Sequence, residues 1–248
     1  MIIHDDGIAL DAVLETPETG EDRFPLAILL HGLTSAKDRP HTILAAKSMR
    51  DAGFATLRFD LYGHGESGGE FRNHTLYKWV SNTLAVIDWA RAEGYTDLVL
   101  SGHSQGGLAA ALAAGMEADR IRGLVLRAPA FMLPRWAREG SVLGYAFDPD
   151  RLPDSIPAIN GLTLDGNYLR VLQTIYTEDA VDRYRGPVLI LHGDEDDTLP
   201  LGDSREMAVR YADCELAVMH GETHHFDRCQ EEMQDLIRDF MMKLKANF

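Results

Sequence analysis

The stretch Val99-Leu100-Ser101-Gly102-His103-Ser104-Gln105-Gly106-Gly107-Leu108 decides how the rest of the chain is read. A short β-branched and leucine run, Leu98 to Leu100, leads into it, and an alanine-rich helical run, Leu108 to Ala118, leads out. Between them the glycines at 102 and 106 bracket Ser104 as G-x-S-x-G. Such spacing suits a sharp strand-to-helix turn that holds its serine in a strained backbone conformation. Residues without a Cβ let strand and helix approach closely enough to make that turn. The motif alone recurs by chance, so its weight comes from the strand–turn–helix context.

Outward from this turn, short apolar runs alternate with helical periods. Ile8 to Leu14 alternates apolar and polar residues, as a half-exposed edge hairpin strand would, and Pro17 to Asp22 reads as a polar turn. Leu26–Leu30, Ala55–Phe59, Leu98–Leu100, Ile121–Leu126, Pro187–Leu191 and Glu215–Met219 read as strands, mostly buried on both faces. Helices are predicted at about 41–51, 76–91, 204–211 and 230–244. This alternation predicts a mostly parallel sheet with right-handed crossovers and helices on both faces. One interval breaks the rhythm. Residues 129–185 exceed one crossover helix and are rich in Pro, Gly and aromatics, which predicts an inserted lid or substrate-binding subdomain within a single domain spanning 1–248.

Composition narrows the function. The formal charge of −15 over 248 residues argues against nucleic acid and anionic membranes as partners. Met1 to Asp6 shows neither a basic nor an apolar leader region, and no apolar run is long enough to span a bilayer, so a cytoplasmic location is expected. The two cysteines, Cys214 and Cys229, form neither a disulfide framework nor a metal motif.

A serine hydroxyl needs a base within hydrogen-bond reach and a third group to orient that base. Two loops leave later strands at the edge where Ser104 sits: His192-Gly193-Asp194-Glu195-Asp196-Asp197-Thr198-Leu199-Pro200, then His220-Gly221-Glu222-Thr223-His224-His225-Phe226. Their order, acid then histidine after the serine, is that of a Ser-His-Asp site built on an open parallel sheet. H-G-x-x-D-x-x-x-P selects Asp196 over Asp194 and Asp197, and H-x-F selects His224 over His225. A cation in the acidic loop lacks the required glycine pattern, and zinc lacks further ligands at motif spacing. No metal or cofactor is expected. Backbone N–H groups of Leu33 and Gln105 are the candidate oxyanion donors. Gly63-His64-Gly65-Glu66-Ser67-Gly68 spells G-x-G-x-x-G, but no helix opens after it, so a shaped loop near the site is expected rather than a dinucleotide site. His4, His41 and His74 are expected to be surface or capping residues.

With these motifs in hand, the chain resembles the small bacterial cinnamoyl/feruloyl esterases of the α/β-hydrolase superfamily. The resemblance runs through His31-Gly32-Leu33-Thr34, Arg58-Phe59-Asp60 with Gly63 to Ser67, Gly102 to Gly107, Ala128-Pro129-Ala130, Pro149-Asp150-Arg151-Leu152-Pro153-Asp154 and both late loops. It implies an eight-stranded α/β-hydrolase sheet, a lid over Ser104 and cleavage of small-molecule carboxylic esters through an acyl-enzyme, often of hydroxycinnamic acids. Acyl transfer, peptide hydrolysis and a non-catalytic binding role on the same fold remain as alternatives, and assembly into a homodimer is left open. Esterases of this group can carry polar lid side chains that meet a phenolic hydroxyl, whereas the matching stretch here has Trp136 and Leu143. Together with Tyr145, Phe147 and Tyr168, these are expected to wall the acyl pocket.

Overall fold

The computed structural model describes residues 1–18 and 23–248, so the last four residues of the expected Pro17–Asp22 turn lie outside the described residues. In chain order the main body comprises β1 (Ile2–Asp5), β2 (Ile8–Glu15), β3 (Leu26–Leu30), α1 (Pro40–Asp51), β4 (Ala55–Phe59), α2 (Leu76–Ala92), β5 (Leu98–His103), α3 (Gln105–Met116) and β6 (Ile121–Arg127). The inserted segment follows, with α4 (Leu133–Glu139), the short strands β7 (Ser141–Val142), β8 (Tyr145–Ala146), β9 (Ser155–Pro157) and β10 (Thr163–Asp165), and α5 (Asn167–Gln173). The chain then closes with α6 (Thr177–Arg183), β11 (Val188–Gly193), α7 (Leu201–Arg210), β12 (Cys214–Met219) and α8 (Gln230–Lys245).

Eight strands form one sheet in the order β1-β2-β4-β3-β5-β6-β11-β12. The β1–β2 hairpin and the β2–β4 pair are antiparallel, and every later neighbour is parallel. Why the buried strands read as unbroken apolar runs is visible in their packing. Leu26, Ile28 and Leu30 of β3 enter one core with Trp79 of α2 and Leu108 of α3. Ala27 and Leu29 enter the other with Met49 of α1 and Met233, Ile237 and Met241 of α8. Successive residues point to opposite faces, so a strand sandwiched between helices must be apolar throughout. Helix α8 needs only one apolar stripe, and its buried residues Met233, Ile237, Phe240, Met241 and Leu244 recur at helical spacing.

The insertion ends earlier than the expected 129–185. Parallel neighbours β6 and β11 require a crossover helix, and α6 supplies it, packing on α3 so closely that a Cβ at Gly115 would lie 2.6 Å from the Ala180 carbonyl oxygen. The part that leaves the body therefore ends near Gln173. Among the described residues no helix is long and apolar enough to cross a membrane.

Candidate active site

Parallel strands send their carboxyl ends to one edge, and there β3, β5, β6, β11 and β12 deliver His31–Leu33, Ser104, Arg127, Asp196 and His224. Ser104 has φ 55° and ψ −124°, the strained turn conformation its flanking glycines allow. A Cβ at Gly102 would lie 2.3 Å from the Gly106 carbonyl oxygen, and one at Gly106 would lie 2.2 Å from that of His31. Both glycines are thus required by close backbone approach. The turn is fixed by four backbone bonds: Ser104 N–H to Arg127 O at 2.9 Å, and Ser104 O accepting from Gly107, Leu108 and Ala130 at 2.9, 3.2 and 3.0 Å.

The structure brings three sequence-predicted side chains into one hydrogen-bonded line. His224 Nδ1 lies 2.7 Å from Asp196 Oδ2, and His224 Nε2 lies 3.1 Å from Ser104 Oγ. A carboxylate accepts, so Nδ1 carries the proton and Nε2 is free to accept the serine hydroxyl. The Asp196 side chain is fully buried. Burial alone would raise its carboxyl, but hydrogen bonds from His192, His224 and the Leu199 amide hold it well below the usual carboxylate range. Its other oxygen accepts from the amides of Thr198 and Leu199 at 2.9 and 2.8 Å. Asp194 instead bonds His220 and the Gly221 amide, and Asp197 meets Thr198. His225 lines the cleft beside the line of three without entering it.

The loop His31-Gly32-Leu33 closes on Ser104, since a Cβ on Gly32 would stand 3.2 Å from the Ser104 Cβ. The amides of Leu33 and Gln105 donate to no acceptor among the described residues, which leaves both for a ligand oxygen. Two buried histidines hold this loop. His31 Nε2 accepts from the Leu61 amide at 3.0 Å, so its Nδ1–H donates to the Gly32 carbonyl at 2.8 Å. His64 Nε2 accepts from the Thr34 amide at 3.2 Å, so its Nδ1–H donates to the Tyr62 carbonyl at 2.9 Å. Burial first, and then the neighbouring His64, push His31 down to about 3, and burial lowers His64 as well, so both rings stay neutral donor–acceptors. The G-x-G-x-x-G segment is therefore a brace for the His31–Thr34 loop, followed by a short turn at Phe71–Asn73 rather than a nucleotide-binding helix.

A cleft of about 630 Å³ opens over Ser104. Its insertion side is largely apolar, with Ala130, Leu133, Leu143 and Ile159 beside the single polar side chain of Asn160, and Leu199 joins it from the loop after β11. Of the five expected wall residues only Leu143 lines it, carried on the tight β7–β8 turn with φ 54°. Tyr145 of β8 and Phe147 just past it stack on each other with centroids 6.4 Å apart, and half-buried Trp136 packs against the core. Tyr168 is fully buried beneath the site, where its hydroxyl donates to Gln105 Oε1 at 2.7 Å while Gln105 Nε2 donates to His74 Nε2 at 2.6 Å. His74 and His41 are accordingly interior residues, not surface ones, and His41 lines the cleft. His4 is exposed as expected. Sequence reading missed His31, His64, His74 and His103. In each, a neutral tautomer links a loop amide, carbonyl or side chain, and no spacing rule announces such a partner.

Comparison with known proteins gives a consistent family. The Hydrolase_4 model, described as serine aminopeptidase, S33, matches residues 24–147, half of the chain. Est1E from Butyrivibrio proteoclasticus, solved with ferulic acid bound, superposes with a TM-score of 0.97 at 44% identity and covers 99% of both chains. Human protein ABHD12B is 29% identical over 185 residues, which is 73% of this chain and 48% of that protein. An uncharacterized 31.7 kDa protein of Escherichia coli is 36% identical over 107 residues, 35% of its length. The chain thus spans about half or less of the curated relatives it matches. A Paleococcus ferrophilus monoacylglycerol lipase, at 22% identity and TM-score 0.73, shares the fold. A match over half the chain, with a relative aligned end to end at 44% identity, places this protein in the Hydrolase_4 family, on the α/β-hydrolase fold.

Proposed function

We propose that the protein is a serine carboxylesterase that works through an acyl-enzyme on esters of aryl and short-to-medium acids, hydroxycinnamic acids included. The single observation that carries this reading is the line Ser104–His224–Asp196, hydrogen-bonded at 3.1 and 2.7 Å and open to a cleft with an apolar end. His224 Nε2 removes the hydroxyl proton as Ser104 Oγ attacks the ester carbonyl, and Asp196 stabilises the imidazolium that forms. The amides of Leu33 and Gln105 hold the oxyanion, each such donor being worth about 3–4 kcal/mol of barrier. Collapse of the tetrahedral intermediate breaks the ester C–O bond, and His224 returns the proton to the departing alcohol. Water then repeats the sequence on the acyl-Ser104 ester, releasing acid and free serine.

The apolar acyl end favours this reading over a peptidase for free N-termini. Such an enzyme must fix an ammonium group beside the scissile bond, yet Leu133, Leu143, Ile159 and Asn160 carry no charge. Among the described residues the one carboxylate lining the cleft, Asp227 in the segment leading into α8, already accepts from the Thr223 hydroxyl. Ferulic acid bound to Est1E supports an aromatic acid as the occupant. The test is a panel of p-nitrophenyl acyl esters, methyl hydroxycinnamates and aminoacyl p-nitroanilides. Turnover of the esters with none of the anilides is expected; the reverse would overturn the proposal.

A further inference from the structure

Beneath the site lies a buried cation that the ester chemistry above does not use. Arg127, the last residue of β6, is fully buried, and among the described residues no carboxylate pairs with it. Its Nε and Nη2 are buried without a partner. Nη1 alone is engaged, 2.9 Å from His41 Nδ1 and 3.0 Å from the His41 carbonyl oxygen. Stripping a guanidinium of water without a counter-charge is costly, so the one ring it meets is informative.

A guanidinium can only donate. His41 Nδ1 must therefore be bare, and the nearby Thr42 hydroxyl, at 3.5 Å, can only donate to it as well. Burial, then the Arg127 charge, hold the imidazole neutral, far below its usual range. Its one proton sits on Nε2. That nitrogen meets no protein partner and is not among the sealed, unpartnered atoms, and His41 lines the cleft. His41 thus presents a donor N–H to the cleft in a tautomer that Arg127 fixes. The ring sits 4.4 Å centroid to centroid from His103, which precedes Ser104 and whose Nε2–H holds the His224 carbonyl at 2.8 Å.

Position decides what this donor can meet. The cleft wall on the His41 side comes from the segments leading into and opening α1 and α8, with Ser35, Arg39, His225, Asp227 and Gln230, and is polar where the insertion side is largely apolar. With the acyl group in the apolar end, the alcohol portion of the ester lies along the polar wall. We propose that His41 is a specificity-determining donor for esters whose alcohol carries a second oxygen, hydroxyl or ether, and that Arg127 is the positioning residue that locks His41 as that donor. This rests on the carboxylesterase reading.

The test compares ethyl cinnamate with 2-hydroxyethyl cinnamate. One hydrogen bond of this kind supports a preference for the hydroxyethyl ester of roughly three- to tenfold in kcat/KM. His41→Leu should bring the ratio of the two esters close to one. His41→Gln, whose carbonyl can accept from Arg127 while its amide donates, should keep most of it. An unchanged ratio in His41→Leu overturns the proposal. Independently of turnover, 15N chemical shifts should report the Nε2–H tautomer for His41 in the wild type and a mixture in Arg127→Met. A wild-type Nδ1–H tautomer would also overturn it, and this arm stands should either variant fail to fold. Hydrolysis of neither ester by the wild type would instead remove the esterase reading while leaving the tautomer result intact.

Discussion

Replacing Asp196 by Asn changes one atom and should nearly abolish turnover. The Asp196 carboxylate spends one oxygen on the amides of Thr198 and Leu199, at 2.9 and 2.8 Å, and the other on His224 at 2.7 Å and His192 at 3.2 Å. An Asn side chain must keep its carbonyl oxygen against the two backbone amides. Turning its NH2 toward them would set donor against donor at both, at a cost of about 1–3 kcal/mol for the Leu199 amide on its buried residue. The NH2 therefore faces His224 Nδ1, which is forced to accept. The imidazole proton moves to Nε2, and the nitrogen that must take the Ser104 proton is already occupied. Loss of this orientation in serine hydrolases with the same triad costs about 10⁴-fold in kcat, or ~5 kcal/mol of barrier. Initial rates on p-nitrophenyl butyrate, with circular dichroism to show that the variant is folded, measure it directly. Asp194→Asn and Asp197→Asn are the controls, because their carboxylates bond His220, Gly221 and Thr198 and not His224. A loss in Asp196→Asn below about tenfold would refute the orienting role, as would a crippled Asp197→Asn.

Gly106→Ala should fold poorly, with a loss of about 1–3 kcal/mol or more, because the new Cβ meets the His31 carbonyl oxygen at 2.2 Å; a melting temperature equal to the wild type would contradict this. Methyl cinnamate should be cleaved at least as well as methyl p-coumarate, since Leu133, Leu143 and Ile159 leave Asn160 as the single polar side chain on the insertion side of the cleft and the Tyr168 hydroxyl is already committed to Gln105. A buried phenolic hydroxyl without a partner costs about 1–3 kcal/mol, so a tenfold preference for the phenolic ester would rule the idea out. Trp136→Ala, outside the cleft lining, should leave that ranking unchanged. Because the folded Asp196 carboxyl is depressed, its stabilisation is fully present above the unfolded value of about 3.9 and is lost as pH falls through the folded value. The gap in urea stability between wild type and Asp196→Asn should therefore begin to narrow below about pH 4 and keep narrowing as the pH falls further, and a constant gap would argue against the shift.

Much of this architecture is legible in the chain because one physical rule generates it. Strands such as Leu26–Leu30 are buried on both faces, so they announce themselves as unbroken apolar runs, and loops after such strands fall on one edge. Ser104, Asp196 and His224 follow from that edge and from their order. The insertion obeys no such periodicity. Whether Leu143 or Tyr145 faces the cleft depends on where a two-residue strand turns, and Tyr168 points beneath the site because Gln105 offers its buried hydroxyl an acceptor. Buried histidines are equally silent. His41 reads as a helix-start residue until α1 docks against the end of β6 and Arg127 meets its ring. Arg127 closes the otherwise apolar Leu124-Val125-Leu126, much as Arg58 interrupts β4, and nothing in either run tells which side chain each arginine meets.

In the proposed mechanism Ser104 carries the acyl group. Intact-protein mass spectrometry after mixing with a p-nitrophenyl ester or a fluorophosphonate tests it most directly, with peptide mapping to locate the adduct. A single adduct on the peptide containing Gly102-His103-Ser104-Gln105-Gly106, absent in Ser104→Ala, whose ester hydrolysis should also fall by several orders of magnitude, is the expected result. An adduct on any other residue, or hydrolysis by Ser104→Ala at near wild-type rate, would contradict the account.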